Sequence, residues 1–374
     1  MRPSNALKNL LLLAGSLVFC LILVEIIFAV FGISTLQKAP NYRSSSDVYH
    51  HGFVPDSSGV FKSSEWNVKY SIDSFGFRDH DYTISKPTGT FRILMLGDSY
   101  TEGYGVELSE SFSKQLESML NGKSTGTKFE VINAGVGSYS PILEYLVLKY
   151  KGMQLSPDVV ILNFDWSDPH DDQVYSELAV WNGSDVFAVR QPPPESKSLS
   201  AKVRYFMSQH SHVYQFFAKK FSAATSQIVP GDRNSDKLIF LRDNLTDSDY
   251  NELFNNSVPY LLKIKGLLGE HDIPFVINTY PYALQVSTQA WKSGRKTFFF
   301  SDDKVYPAKP FGVVEKFGRE NNITVTSSYS YFKAAANQSQ LFFDYDGHFT
   351  PAGHSLEAKA LYDYLENSTA LSGH

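Results

Sequence analysis

A serine, an aspartate and a histidine occur in settings that suit nucleophilic attack on an ester. Ser99 belongs to a Gly-Asp-Ser segment that directly follows the short apolar run Phe91–Leu96. Asp346 and His348 are separated by one glycine and precede an amphipathic segment near the C-terminus. A serine hydroxyl becomes a good nucleophile only when a base takes its proton, and a histidine oriented by a carboxylate is such a base. The pattern therefore predicts a Ser99–His348–Asp346 catalytic triad.

The surrounding segments alternate between strand-like and helix-like patterns. Such alternation predicts βαβ units and a parallel sheet. Ser99 would then lie at the carboxyl end of a strand, where open α/β sheets bind their ligands. The predicted strands are Phe91–Leu96, Phe129–Asn133, Val159–Leu162, Phe275–Thr279 and Ile323–Thr326, and the predicted helices are Ser109–Leu120, Pro141–Tyr150, Lys202–Ala223, Tyr250–Gly269 and Ala352–Glu366.

An apolar run near the N-terminus, Leu10–Phe31, predicts a membrane anchor. Its 22 residues would span about 33 Å as a helix, close to the hydrocarbon thickness of a bilayer. Arg2 and Lys8 precede the run, which favours a cytoplasmic N-terminus and an extracytoplasmic remainder. No A-x-A-like cleavage site stands near its end, so a retained single-pass anchor is favoured over a signal peptide. Glu25, inside the run, is expected to be hydrated near the outer surface or to face a partner helix.

We expect three regions in the 374-residue chain. Residues 1–33 form a cytoplasmic tip and the anchor, residues 34–90 an extended lead-in with short strands, and residues 91–374 the catalytic domain with an insertion at about 173–245. The formal net charge of −5 argues against nucleic-acid binding. The single cysteine, Cys20, lies in the apolar run, which excludes a thiolate nucleophile elsewhere.

Other interpretations of these residues remain open. The Gly-Asp-Ser segment could be a turn in which Ser99 only caps a helix. The acidic cluster Asp168–Asp172 could bind a cation, although a solvated loop with helix-capping carboxylates is favoured. The pair His50–His51 lacks the spacing of metal ligands and is interpreted as surface residues. No metal site and no cofactor is predicted.

Four segments resemble the sequence blocks of the SGNH (GDSL) hydrolase family. The first block matches Gly97-Asp98-Ser99, the second resembles Val131–Ser138, the third falls on Ser167-Asp168, and the last matches Asp346, His348 and Gly353. The lead-in segment Ser74–Arg78 also resembles the segment that precedes Gly-Asp-Ser in membrane-anchored members found with surface-polysaccharide systems. The resemblance implies a three-layer α/β/α, flavodoxin-like fold and no cofactor.

The resemblance also implies an oxyanion hole, and here the sequence departs from the family twice. Ser138 stands where a glycine usually supplies a backbone N–H, which a serine with an ordinary φ would still provide. Ser167 stands where an asparagine side chain usually donates, and Asn163 is an alternative donor. The predicted oxyanion donors are Ser99, Ser138 and Ser167.

Three functions fit this sequence. The first is an esterase that removes small acyl groups, such as acetyl, from a glycan outside the cytoplasmic membrane. The second is an O-acyltransferase that modifies a surface polysaccharide with acyl groups supplied by a membrane partner. The third is an inactive glycan-binding module, suggested by the altered third block. Hydrolysis and transfer share an acyl-enzyme, so the sequence does not separate them.

Overall fold

The computed structural model describes residues 5–31, 42–123, 126–191, 200, 203, 206–207, 211–214, 237–242, 244–297 and 300–368. The chain divides into two compact units, one of residues 1–39 and 192–232 and the other of residues 40–191 and 233–374.

The first unit contains a long apolar helix, α1 (Asn5–Val30). Its stretch Lys8–Val30 is long and apolar enough to cross a membrane. Glu25 accepts hydrogen bonds from the Ser211 hydroxyl and from the amides of His212 and Val213. Glu25 thus has hydrogen-bond partners within the same unit of the chain. Most of the predicted helix Lys202–Ala223 lies outside the described residues.

A parallel five-stranded sheet forms the centre of the second unit. In spatial order β11, β10, β7, β5 and β6 pair side by side, which is the strand order of flavodoxin-like sheets. From β5 the chain adds β6 on one side of the sheet and then β7, β10 and β11 on the other side. The direction of strand addition thus reverses at β5, and a crevice opens at the carboxyl ends of β5 and β7. The predicted α/β fold with a parallel sheet is confirmed. The strands are β1 (Arg43–Ser46), β2 (His50–Phe53), β3 (Ser58–Lys62), β4 (Asn67–Ser71), β5 (Thr90–Gly97), β6 (Lys128–Asn133), β7 (Val159–Phe164), β8 (Ala179–Asn182), β9 (Asp185–Val189), β10 (Phe275–Thr279) and β11 (Thr324–Ser327).

Helices cover both faces of this sheet. Phe112 and Leu116 of α3 and Leu361 of α12 pack on one face, whereas Leu146 of α4 and Leu261 of α7 belong to the cluster on the other face. The sheet strands are buried on both faces, and this explains their nearly continuous apolar sequences. The helices of this unit are α2 (Ser99–Glu102), α3 (Phe112–Lys123), α4 (Pro141–Tyr150), α5 (Asp168–Glu177), α6 (Asp247–Phe254), α7 (Val258–Gly269), α8 (Ala283–Val286), α9 (Lys292–Thr297), α10 (Lys309–Asn321), α11 (Tyr329–Ala335) and α12 (Pro351–Asn367).

The predicted helix Tyr250–Gly269 is in fact two helices. α6 ends at Phe254, and α7 begins at Val258 with Pro259 in its first turn. A proline has no N–H to donate and clashes with the preceding turn, so it is tolerated at a helix start but not inside one. The proline therefore divides the predicted element.

Two antiparallel hairpins, β1–β2 and β3–β4, form most of the segment between residues 42 and 71. Arg78 follows them and is fully buried. Its guanidinium donates to the carbonyls of Gly103 and Val106 and lies 3.8 Å over the ring of Tyr70. An arginine with several carbonyl acceptors joins elements firmly because its donors have a fixed geometry. The hairpin β3–β4 is thereby fastened to the loop that follows α2.

Candidate active site

Ser99 lies at the carboxyl end of β5, with its hydroxyl available for chemistry. Asp98 is the N-cap of α2, and its side chain accepts from the Tyr100 amide at 2.9 Å. The capping role considered for Ser99 thus belongs to Asp98. The Ser99 hydroxyl instead lies 2.7 Å from Nε2 of His348.

His348 is oriented through its second ring nitrogen. Its Nδ1 forms a very short hydrogen bond with the Asp346 carboxylate. The rings of Tyr100 and Tyr104 both pack against the imidazole, each with its centroid 4.7 Å away. Because the ring is held by a hydrogen bond and two aromatic neighbours, Nε2 is fixed toward Ser99. The structure therefore brings together the three residues predicted as a triad.

The electrostatics of the pair favour a basic imidazole. Burial alone would lower the pKa of His348, but the charge and hydrogen bond of Asp346, together with the charges of Asp98 and Asp165, outweigh burial and raise that pKa above its ordinary value. Burial would raise the pKa of Asp346, but His348 lowers it overall. The carboxylate therefore stays ionised and supports a positive charge on the imidazole.

The backbone amides of Ser99 and Ser138 lie at the nucleophile. Neither amide has a hydrogen-bond acceptor among the described residues. The loop carrying Ser138 lies against the nucleophile: a Cβ added to Gly137 would be 3.6 Å from Cβ of Ser99. Ser138 does not have an ordinary backbone conformation, because its φ is +64°. A left-handed backbone costs a residue other than glycine about 1–2 kcal/mol. Neighbouring contacts must therefore hold this loop in place.

Several side chains supply those contacts. Glu102 is buried, and its carboxylate accepts from the Gly137 amide at 2.7 Å and the Tyr70 hydroxyl at 2.8 Å, and also from Arg43. The Tyr175 hydroxyl donates to the Ser138 carbonyl at 2.9 Å. An amide or carbonyl held by a side chain cannot rotate without losing that bond. Glu102 and Tyr175 thus hold the peptide groups immediately before and after the Gly137–Ser138 peptide.

Ser167 lines the same cavity, but it interacts with Asp165. Burial raises the pKa of Asp165, and hydrogen bonds from Tyr282 and from the amide and hydroxyl of Ser167 oppose that rise. The Ser167 hydroxyl would have to turn away from Asp165 to donate into the cavity. The alternative donor Asn163 lies within β7, where its side-chain amide donates to the Leu96 carbonyl at 3.0 Å.

The acidic cluster Asp168–Asp172 differs from the favoured expectation. It forms the first turns of α5, and Asp168, Asp171 and Asp172 are buried, so the solvated-loop interpretation is wrong. Its helix-capping part agrees with the structure, since Asp172 accepts from the amide of Ile142 in the first turn of α4, and Lys237 donates to Asp171 at 2.6 Å. Within the described part of the chain, no group of three acidic, histidine or cysteine side chains is arranged to hold a metal ion.

Glu65 is a functional candidate that sequence reasoning missed. Its carboxylate accepts the backbone amides of Asp344, Tyr345 and Asp346 at 2.7, 3.1 and 2.9 Å. Three amides directed at one carboxylate fix the turn that carries the Asp-Gly-His segment. No local pattern announces this contact, since Glu65 and Asp346 are 281 positions apart in the sequence.

The hydroxyl of Ser99 faces a cavity of about 220 Å³. Its wall includes the catalytic candidates together with Ser138, Ser167, Tyr282 and Trp291. The indole N–H of Trp291 donates to the Tyr345 carbonyl at 3.0 Å, and a Cβ added to Gly347 would be 2.9 Å from the indole nitrogen. Gly347 also has a φ of +94°, a conformation that other residues rarely adopt. A side chain at this position would therefore strain the backbone and clash with the indole, so the position requires glycine. The tryptophan thus supports the turn between Asp346 and His348.

Comparison with known proteins gives only structural neighbours. No family model matches the chain, and no curated protein matches it. Similar solved structures include the acetyl xylan esterase AlAXEase, at 13% identity over 74% of this chain and 100% of that chain with a TM-score of 0.40. The lipase/acylhydrolase from Enterococcus faecalis is 16% identical over 74% and 95%, with a TM-score of 0.39. A catalytic mutant of Axe2, an acetylxylan esterase from Geobacillus stearothermophilus, is 12% identical over 74% and 93%, with a TM-score of 0.38. The chain is thus similar to solved acylhydrolases and acetylxylan esterases.

Proposed function

We propose that this protein is a serine esterase that removes small acyl groups, such as acetyl, from a glycan. The observation that carries the proposal is the continuous hydrogen-bonded series from the Ser99 hydroxyl through His348 to Asp346. A serine, an imidazole and a carboxylate in that geometry perform acyl transfer on many unrelated folds.

The proposed reaction begins when His348 takes the proton of Ser99 as the serine oxygen attacks the ester carbonyl. Asp346 keeps the other imidazole nitrogen protonated and stabilises the imidazolium that forms. The free amides of Ser99 and Ser138 bind the oxyanion, with the Ser167 hydroxyl as a third donor if it turns from Asp165. His348 then gives its proton to the leaving alcohol, and water releases the acyl group from Ser99.

The size and setting of the cavity support a small acyl group. Pockets for drug-sized ligands measure about 300–1,000 Å³, whereas the cavity at Ser99 measures about 220 Å³. An acetyl group is small enough for this space, and the rest of a glycan would remain outside it. The resemblance of Ser74–Arg78 to anchored, polysaccharide-associated proteins supports a glycan as the alcohol part of the ester.

Transfer to a glycan hydroxyl is the alternative outcome, with an acyltransferase in the membrane as donor. To test this, the full chain in detergent is incubated with a small acyl ester, with and without an acetyl-free oligosaccharide. Mass spectrometry then identifies the products of each reaction. An esterase should release free acid at the same rate in both samples. An acylated oligosaccharide would instead identify a transferase. If neither acid nor acylated sugar forms and the sugar still binds, the protein is an inactive binding module.

We further propose that α1 anchors the protein in the cytoplasmic membrane, with the catalytic unit on the outer side. The apolar length of Lys8–Val30 and the preceding basic residues support this orientation. Alkaline phosphatase fused to the C-terminus should be active and should sediment with membranes. A soluble fusion protein trimmed at its N-terminus would show that the apolar helix is a cleaved signal sequence.

A further inference from the structure

His51, at the second position of β2 in the hairpin β1–β2, contacts the loop that carries Gly137 and Ser138. Its Nε2 lies 2.8 Å from the Gly137 carbonyl oxygen. The ring packs at 5.1 Å from that of Tyr139, whose hydroxyl donates to the His51 carbonyl at 2.7 Å. Both histidines are partly exposed, which agrees with their interpretation as surface residues, but their rings also pack against the aromatic residues Tyr139 and Tyr175.

The hydrogen bonds determine which nitrogen of His51 carries a proton. A carbonyl oxygen only accepts, so Nε2 must be the donor. Nδ1 of a neutral ring is then an acceptor, and Nδ1 of His50 stands 2.9 Å away as its donor. Burial holds the pKa of both residues below the ordinary value, that of His50 at about 4. His51 is therefore a neutral imidazole with a fixed Nε2–H.

The bond from His51 acts on one particular peptide group. In a trans peptide the carbonyl of one residue and the N–H of the next lie in one plane and point in opposite directions, and the described chain has no cis peptide bond. Fixing the Gly137 carbonyl therefore fixes the Ser138 N–H, one of the two amides without an acceptor at Ser99. Glu102 holds the preceding amide, and Tyr175 holds the following carbonyl. Neither of these bonds is made by the Gly137–Ser138 peptide.

We propose that His51 is a positioning residue for catalysis: its Nε2–H holds the Gly137–Ser138 peptide so that the Ser138 N–H faces the developing oxyanion. The left-handed φ of Ser138 makes this necessary, since a serine there can relieve strain by rotation of the peptide. A glycine would need no such support. The lead-in segment thus contributes a positioning residue to the active site, whereas the nucleophile Ser99 and the base His348 lie in the domain that follows it. This inference rests on the proposed esterase function.

The test compares three variants of the full chain in detergent, with p-nitrophenyl acetate as substrate. His51→Phe keeps an aromatic ring but has no donor. His51→Gln keeps an N–H donor at the position of Nε2. His271→Phe is the control, because His271 is exposed in the turn after α7. We expect His51→Phe to lower kcat about 10²-fold, the usual effect of losing an oxyanion donor, with little change in KM. We expect His51→Gln to restore most of the rate.

Two further readouts separate positioning from a general structural effect. Phenylboronic acid forms a tetrahedral anion on an active serine, so its inhibition constant should weaken in His51→Phe by a factor similar to the loss in kcat. The pH midpoint of kcat/KM should stay unchanged, because His348 is untouched. A His51→Phe rate equal to that of His271→Phe would overturn the inference, and so would a His51→Gln variant as slow as His51→Phe.

Failure of the proposed function gives a different result. If the wild type neither hydrolyses the ester nor binds the boronic acid, the esterase proposal fails. Crystal structures of the wild type and His51→Phe then decide the inference. An unchanged Gly137–Ser138 peptide in the variant would overturn it, whereas a rotated peptide would support it.

Discussion

Ser99→Ala and His348→Ala are each expected to lower kcat for a small acyl ester by about 10⁴–10⁶-fold. The first change removes the atom that bonds to the acyl carbon, and the second removes the base 2.7 Å from it. The double variant should be no slower than either single variant, because residues that act as one unit show non-additive effects. Initial rates at saturating substrate, normalised to folded protein, measure the loss.

The matched controls are Ser355→Ala and His271→Ala, at exposed positions of α12 and of the turn after α7. Both controls should keep the wild-type rate. Both controls should also melt within a few degrees of the wild type, since surface substitutions usually change stability by less than about 0.5 kcal/mol. A Ser99→Ala variant that retains a tenth of the activity would place the nucleophile elsewhere.

Asp346→Asn is expected to lower kcat by about 10⁴-fold and to shift the pH profile. An asparagine no longer selects the imidazole tautomer with its free lone pair toward Ser99. His348 must be neutral to take a proton, so kcat/KM rises with pH as His348 deprotonates. Asp346 holds the pKa of His348 above its ordinary value, about 6.5. When the charge of Asp346 is removed, burial lowers the pKa of His348. The midpoint of the kcat/KM profile should therefore move to lower pH.

The residual activity of Asp346→Asn should therefore persist at a lower pH than that of the wild type. Profiles of kcat/KM between pH 4 and 9 in buffers of constant ionic strength measure the midpoints. Glu65→Gln provides a useful comparison, because Glu65 binds the same turn through its amides but does not contact the imidazole. A midpoint that rises or stays constant in Asp346→Asn would show that Asp346 does not control the charge of His348.

The elements set by local sequence are predicted well. β10 and α4 have the predicted bounds, because a bounded apolar run and a proline at a helix start are local signals. The grouping of Ser99 with Asp346 and His348 also follows from local patterns together with the rule that strand ends gather at one edge of the sheet. The helix pair α6–α7 was missed where the apolar pattern was followed across Pro259.

The surroundings of the site depend on contacts that no local pattern contains. Glu65 and His51 meet the catalytic loops only after the hairpins have folded onto the sheet. The φ of Ser138 could not be derived from its identity, since serine rarely adopts that conformation and does so here because neighbouring side chains hold the loop. The buried position of Asp168 and Asp172 likewise depends on packing by α4 and by distant residues.

The most direct test of the central claim is covalent labelling of Ser99 by a fluorophosphonate, followed by peptide mass spectrometry. A fluorophosphonate reacts with a serine whose proton is removed by a neighbouring base, and an ordinary serine does not react. We predict that the full chain gains one phosphonyl group, that the modified peptide contains Ser99, and that labelling disappears in Ser99→Ala and His348→Ala. A folded wild-type protein that remains unlabelled, or is labelled at another residue, would contradict the assignment of Ser99 as an activated nucleophile.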